Sequence, residues 1–223
     1  LQAAIRPDTA IVSIMWANNE TGVLFPIEEI AAICRSHGVL FHTDAVQVAG
    51  KVPIDVRELG VDFLSLSAHK LRAPKGIGVL YVKTGVLFQP YIVGGGQERG
   101  QRGGTENVAN IVAFGRAAEL ALSHLDDENT RIRALRDKLE NGIFKAIKGS
   151  VRNGGGEPRL PNTTNIGFDG VEDRRLVGQR GRSSYRPRVR PLLFARRQRP
   201  PHGTLLAHAV SGQVSTVRIA RRW

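Results

Sequence analysis

Residues 65–76 read SLSAHKLRAPKG, which sets a lysine, Lys70, directly after an apolar run that has the look of a strand. A lysine amine can condense with an aldehyde, and pyridoxal phosphate is the aldehyde cofactor that uses such a bond; it also needs a carboxylate at its ring nitrogen to act as an electron sink. Asp44, in HTDAVQ, follows another strand-like run and is a candidate for that carboxylate. Gln47 can donate to the ring's phenolic oxygen, and Ser67 and His69 flank the lysine where they can reach the phosphate. Glycine-rich backbone, as in GGGQERGQRGG, can add amide contacts to an anion. By spacing alone the plainer alternatives stay open: a solvated surface lysine, a histidine satisfied by its neighbours, and a flexible glycine turn.

These residues need a frame. Ala10–Ala17 (AIVSIMWA) is an apolar, β-branched run that ends in the polar group NNETG, as a buried strand entering a functional loop does. Pro26 opens a helix in which Ile27, Ile30, Ala31 and Cys34 share one face and Gly38 is available to end it. Val39–Ala45 and Asp62–Ser67 read as strands, IDVRELG as a short helix between them, and GIGVLYVK as a strand after the lysine. Strands alternating with helices predict an α/β layer with a mostly parallel sheet, in which the strand after Lys70 has the option of running antiparallel. Open sheets of this kind bind ligands beyond the carboxyl ends of their strands, where Asp44 and Lys70 emerge. Long helical segments are expected from Asn107 to about Ile147, with a break near Ser123–Asp127, and LPNTTNIGFDG reads as the first strand and turn of a second domain.

The 223 residues suffice for a sizeable core, and no apolar run approaches the roughly 20 residues that span a bilayer. No signal peptide is recognisable, so a cytoplasmic setting is expected. The single cysteine, Cys34, excludes an internal disulfide and a cysteine cluster for zinc, and no metal is expected. The net charge of +12 belongs entirely to the end of the chain: Asp173 is the last acidic residue, thirteen arginines follow it, and residues 1–173 carry 19 basic against 20 acidic side chains.

Four stretches closely resemble the cysteine desulfurase family, a branch of the class V aminotransferase-like pyridoxal-phosphate enzymes. They are NNETG (Asn18–Gly22), HTDAVQ (His42–Gln47), SLSAHKLRAPKGIGVLYV (Ser65–Val82) and GGGQERGQRGGTENV (Gly94–Val108). The likeness runs in order from about Ala10 to Gly170, and NNETG together with QERGQRGGTEN favours the desulfurases that supply iron–sulfur assembly. It implies the type I pyridoxal-phosphate transferase fold. Part of the cofactor-binding large domain would occupy residues 1–122, and the start of an α+β C-terminal domain residues 123–173. It further implies that Lys70 bonds the cofactor, that Asp44 pairs with the pyridinium nitrogen, that Gln47 and Asn19 contact the phenolic-oxygen side, and that Ser67 and His69 bind the phosphate. Thr105 would reach the phosphate of the neighbouring subunit in a homodimer. The substrate would be L-cysteine, converted to L-alanine while its sulfur passes through an enzyme persulfide to a scaffold protein.

The chain also departs from that pattern. The family carries its nucleophilic cysteine on a mobile C-terminal loop, where this sequence has none, and Cys34 on an apolar helix face is expected to be structural. A long upstream region of the family, with a phosphate loop and a ring-stacking histidine, has no counterpart here, so the chain reads as a fragment that is inactive by itself and exposes apolar faces. Residues 174–223 read as an aberrant or disordered Arg/Pro-rich tail with the composition of a GC-rich gene translated out of frame. Within it STVRIARRW makes Arg218 a candidate for the substrate carboxylate. Two other readings stand beside this one. A different class V lyase or aminotransferase would use Lys70 and Asp44 without a nucleophilic cysteine, although the Gly94–Val108 loop argues against it. Nucleic-acid binding by the arginine-rich tail is disfavoured by sparse aromatic residues and the lack of a binding motif.

Overall fold

The computed structural model describes residues 1–169 and the backbone of 218–221. Two compact units emerge. The described part of the first comprises residues 1–16, 26–125 and 218–221, and that of the second residues 17–25 and 126–169.

The first unit is built on a five-stranded sheet. Its strands are β1 (Thr9–Met15), β2 (Leu40–Asp44), β3 (Phe63–Ser67), β4 (Gly78–Val82) and β7 (Arg218–Arg221), in the order β4-β3-β2-β1-β7. The three central strands are parallel, whereas β4 and β7 run antiparallel at the two edges. The option that the sequence left for the strand after Lys70 is thus the one taken. Helix α1 (Ile27–Ser36) connects β1 to β2, with Ile27, Ile30, Ala31 and Cys34 buried as their spacing predicts, and Gly38 follows its end at φ 63°. Short α2 (Val56–Leu59) links β2 to β3, and the Asp55 side chain caps it by accepting the Arg57 N–H. Val12, Phe41, Val61 and Leu64 fill the core, each at most 2% exposed. Helix α3 (Val108–Ser123) follows the glycine-rich loop in this unit.

Apolar side chains also remain outside. Val79 and Leu80 on the edge strand β4 are nearly half exposed, and Leu87, Tyr91 and Val93 more so. Such an edge is a template for unwanted strand pairing.

In the second unit the helical stretch is less interrupted than the sequence suggests. After His124, α4 (Leu125–Asp127), a π-helical turn over Glu128–Ile132 and α5 (Arg133–Ala146) follow one another directly. A break near residues 123–127 is therefore confined to the end of α3, because no Gly or Pro falls between Ser123 and Asn141 to interrupt the helical run. The strand in LPNTTNIGFDG, β6 (Ile166–Phe168), is not the first of this unit; it pairs antiparallel with β5 (Ser150–Arg152). The segment 17–25 also packs here, through a bridge between Val23 and Arg159.

Among the described residues no helix is long and apolar enough to cross a membrane. The arginine-rich residues 174–217, and with them the nucleic-acid reading, lie outside the described residues.

Candidate functional site

Strand β2 ends at Asp44 and β3 at Ser67, and the parallel ladder places Asp44 opposite Ser65. The two chains therefore leave the sheet side by side. After Asp44 the backbone turns sharply, with the Val48 and Ala49 N–H groups donating to Ala45 O. The Val46 N–H donates to Asp44 Oδ1 at 2.9 Å, which orients the exposed carboxylate. Gln47, half-buried in this turn, accepts from Lys51 Nζ through its backbone carbonyl, leaving its side-chain amide for other work.

After Ser67 the chain makes one 3₁₀ turn, Ala68–Leu71. Ala68 is fully buried and fixes the turn to the core, while His69 and Lys70 are exposed. The turn closes at Arg72, whose φ of 67° is unusual for a residue other than glycine. Backbone bonds from Ala68 N to Ile77 O and from Ala73 N to Ala68 O hold it shut. The Ser67 hydroxyl and His69 Nδ1 share a 2.7 Å hydrogen bond beside the lysine.

Below this end of the sheet lies a group that the sequence reading left without a role. His42 faces Ser13 on β1 and Ser65 on β3, with Nδ1 2.6 Å from the Ser13 hydroxyl and Nε2 2.8 Å from that of Ser65. His42 and Asp44 are two apart on one strand and so share a face; that period was the available signal. Burial pushes the His42 imidazole below its ordinary value, opposed in part by the Asp44 charge. Below pH 6.5 the unfolded chain therefore takes up a proton that the folded chain does not. Urea midpoints are expected to fall as pH drops through and below 6.5, and less steeply in His42→Gln. A midpoint flat from pH 7.5 to 5.5 would contradict this.

The remaining candidates lie elsewhere. Thr105 is exposed beside the glycine-rich loop and lines, with Arg102, Leu66 and Phe114, a cavity of about 1020 Å³ against β3 and β4. Neither Lys70 nor Asp44 lines that cavity. The loop folds back on itself: the Gly103 N–H donates to Ile92 O, and a Cβ on Gly103 would lie 2.7 Å from Gly94 N, so only glycine fits there. Asn19 is an exposed turn residue of the second unit. Arg218 is placed by backbone alone, in β7 opposite Ser13 of β1. Asp44, Gln47, Ser67, His69 and Lys70 are thus gathered at the ends of two neighbouring strands.

This donor set suits a phosphorylated pyridine aldehyde: a primary amine without a hydrogen bond or ion pair to any described residue, an oriented carboxylate, and a hydroxyl–imidazole pair next to the amine.

The class-V aminotransferase family matches residues 1–179, which extends the likeness at both ends beyond the span read from the motifs and stops six residues after the last acidic side chain. The cysteine desulfurase of Gluconacetobacter diazotrophicus is 56% identical over 174 residues, covering 78% of this chain and 44% of that protein. Among solved structures, a NifS-like protein from Rickettsia africae superposes with a TM-score of 0.74 at 36% identity, covering 79% of this chain and 49% of the other. SspA in complex with cysteine gives a TM-score of 0.67 at 38% identity, covering 81% and 50%. The chain spans about half the length, or less, of each. Its α/β sheet is part of the type I fold of these pyridoxal-phosphate enzymes. Arg218 lies beyond the matched residues. On the strength of the family match over residues 1–179 and of these relatives, the chain belongs to the class-V aminotransferases, in their cysteine desulfurase branch.

Proposed function

We propose that this chain supplies the lysine half of a cysteine desulfurase site, which takes L-cysteine and a protein thiol to L-alanine and a protein persulfide. The sulfur would then pass to a scaffold for iron–sulfur assembly, in a cytoplasmic setting. The observation that carries this reading is the emergence of Asp44 and Lys70 from the ends of adjacent parallel strands. Pyridoxal phosphate, when bound, supplies an electron sink that lets charge develop at the amino acid's Cα.

The chain's own groups have separable tasks. The Lys70 amine holds the cofactor aldehyde and, once released from it, carries the proton to and from Cα. Asp44, oriented by the Val46 N–H, keeps the ring nitrogen protonated through a charge-assisted hydrogen bond. The Ser67–His69 pair serves the phosphate, and Gln47 and Asn19 the phenolic oxygen. In a homodimer, Thr105 serves the other subunit's phosphate.

The attacking thiol is a different matter. Cys34 is the chain's single cysteine and is fully buried on α1. Burial, with help from the Asp62 charge, pushes its thiol up to about 11, so it stays protonated at neutral pH. The nucleophile must therefore lie outside these 223 residues. With pyridoxal phosphate and L-cysteine, the chain alone is expected to release no alanine above the Lys70→Ala level and to carry no persulfide on Cys34. Adding, as a separate polypeptide, the part of the Gluconacetobacter relative outside the matched residues is expected to give Lys70-dependent alanine. Alanine formation that Cys34→Ser removes would refute the assignment of Cys34, and mixtures indifferent to Lys70→Ala would refute the function.

A further inference from the structure

Asn18–Gly22 is the candidate cofactor segment that belongs to the second unit. Part of its shape is local. Asn18 Oδ1 accepts the N–H groups of Glu20 and Thr21, each at 2.9 Å, and the Gly22 N–H returns to Asn18 O. Gly22 sits at φ 77°, and a Cβ there would lie 2.8 Å from Thr163 Cβ. The segment is thus pressed against another stretch of chain.

That stretch is residues 158–165. The Leu160 N–H donates to Gly22 O and the Leu24 N–H to Pro158 O, both at 2.8 Å. Asn165, 3% exposed, donates from Nδ2 to Glu20 O at 3.2 Å while its Oδ1 accepts from Asn153 Nδ2 at 2.8 Å, which fixes the amide's orientation. The stretch is in turn bolted to α5. Arg159 makes a two-pronged pair with the buried Glu140 carboxylate, at 2.7 and 3.0 Å, and the Thr164 hydroxyl donates to the same carboxylate. Arg136 Nη1 donates to Leu160 O at 2.6 Å.

We propose that residues 158–165, held on α5 by Glu140 and Arg136, form an arm that sets the conformation of Asn18–Gly22, with Asn165 as the positioning residue for the Glu20–Thr21 peptide, one residue beyond Asn19. The inference rests on the reading of Asn19 as a cofactor contact. A side chain on a mobile turn loses affinity to the entropy of ordering it, and an arm that prepays this ordering shows its effect in cofactor binding.

Two variants test this, Asn165→Ala beside the segment and Arg136→Met remote from it, so that one stays informative if the other does not fold. Amide hydrogen exchange at Thr21 and Gly22 is expected to accelerate about tenfold in both, as the loss of one buried hydrogen bond implies, while β1–β3 keep their protection. Pyridoxal-phosphate titration, read from the visible band, is expected to weaken several-fold in Asn165→Ala, with Asn19→Ala/Asn165→Ala no weaker than Asn19→Ala alone. Unchanged exchange at Thr21 and Gly22 in either folded variant would overturn the arm. Weakened binding in Asn19→Ala with wild-type binding in Asn165→Ala would overturn the positioning role. Faster exchange together with an Asn19→Ala titration equal to wild type upholds the arm and removes the cofactor role of Asn19 instead.

Discussion

Lys70→Ala is expected to abolish the borohydride-reducible visible band that forms when pyridoxal phosphate is added to this chain. Formation of that band requires a primary amine that is not already engaged and that sits beside groups able to hold the rest of the cofactor. Lys70 meets both conditions: it projects from a turn closed by backbone bonds, it is exposed, and the Ser67–His69 pair lies next to it. Lys51, by contrast, spends its ammonium on the Gln47 carbonyl. The loss is expected to be nearly complete, because the other exposed amine nearby, Lys75, lies beyond the turn and lacks the adjoining Ser67–His69 pair. Asp44→Asn separates the two roles. It should leave the band reducible while weakening binding by about 1.5–3 kcal/mol, the worth of a hydrogen bond to a charged group. Absorption spectra before and after reduction, with the labelled peptide identified by mass, check both. An equally strong reducible band in Lys70→Ala would end the assignment of the lysine.

The largest effect on stability is expected at Glu140, which is 1% exposed. Burial raises its carboxyl, and the bonds from Arg159 and Thr164, with the charges of Arg159 and Arg152, outweigh that and leave it below the usual glutamate range. Glu140→Leu strands the Arg159 guanidinium, whose side chain is 8% exposed, without a counter-charge. Removing one partner of a buried pair costs about 3–5 kcal/mol. Adding Arg159→Met should restore part of this, since a well-packed apolar pair is often as stable as the ion pair it replaces. Arg152, the other partner of Glu140 at 2.8 Å, has a side chain 32% exposed and turns to water. The sign with pH is also fixed. A depressed carboxyl stabilises fully above its unfolded value near 4.3 and loses that contribution as pH falls through the folded one. Urea unfolding followed by circular dichroism, from pH 7 to pH 3, measures both effects. A Glu140→Leu protein within about 1 kcal/mol of wild type would mean that water already reaches the pair.

These two residues differ in how well the sequence announces them. Lys70 and Asp44 were legible because each follows an apolar strand run and the passage between them is one strand–helix–strand repeat, so local patterning alone brings both to one end of a sheet. The apolar face of α1, the buried state of Cys34 and the antiparallel option for β4 were legible for the same reason. Glu140 was not. It lies in RALRDKLENGIFKA, where a charged residue reads as a solvated helix position, and its partners Arg159 and Thr164 become visible only after folding. Strand β5 went unnoticed because three residues, SVR, carry too little periodicity to stand out. His42 was quoted inside a motif yet given no task, since its hydroxyl partners come from two other strands.

The order β4-β3-β2-β1 has a further consequence, one of timing. Each of these strands lies beside its neighbour in sequence, so each ladder can close as soon as its second strand has been synthesised, at little cost in loop entropy. On a ribosome, the Asp44 and Lys70 ends would be paired before α5 and the arm that follows it had left the exit tunnel. The ladders that carry the cofactor's two principal holders thus close before residues 158–165 are made, and the fine adjustment of Asn18–Gly22 must wait for that later stretch.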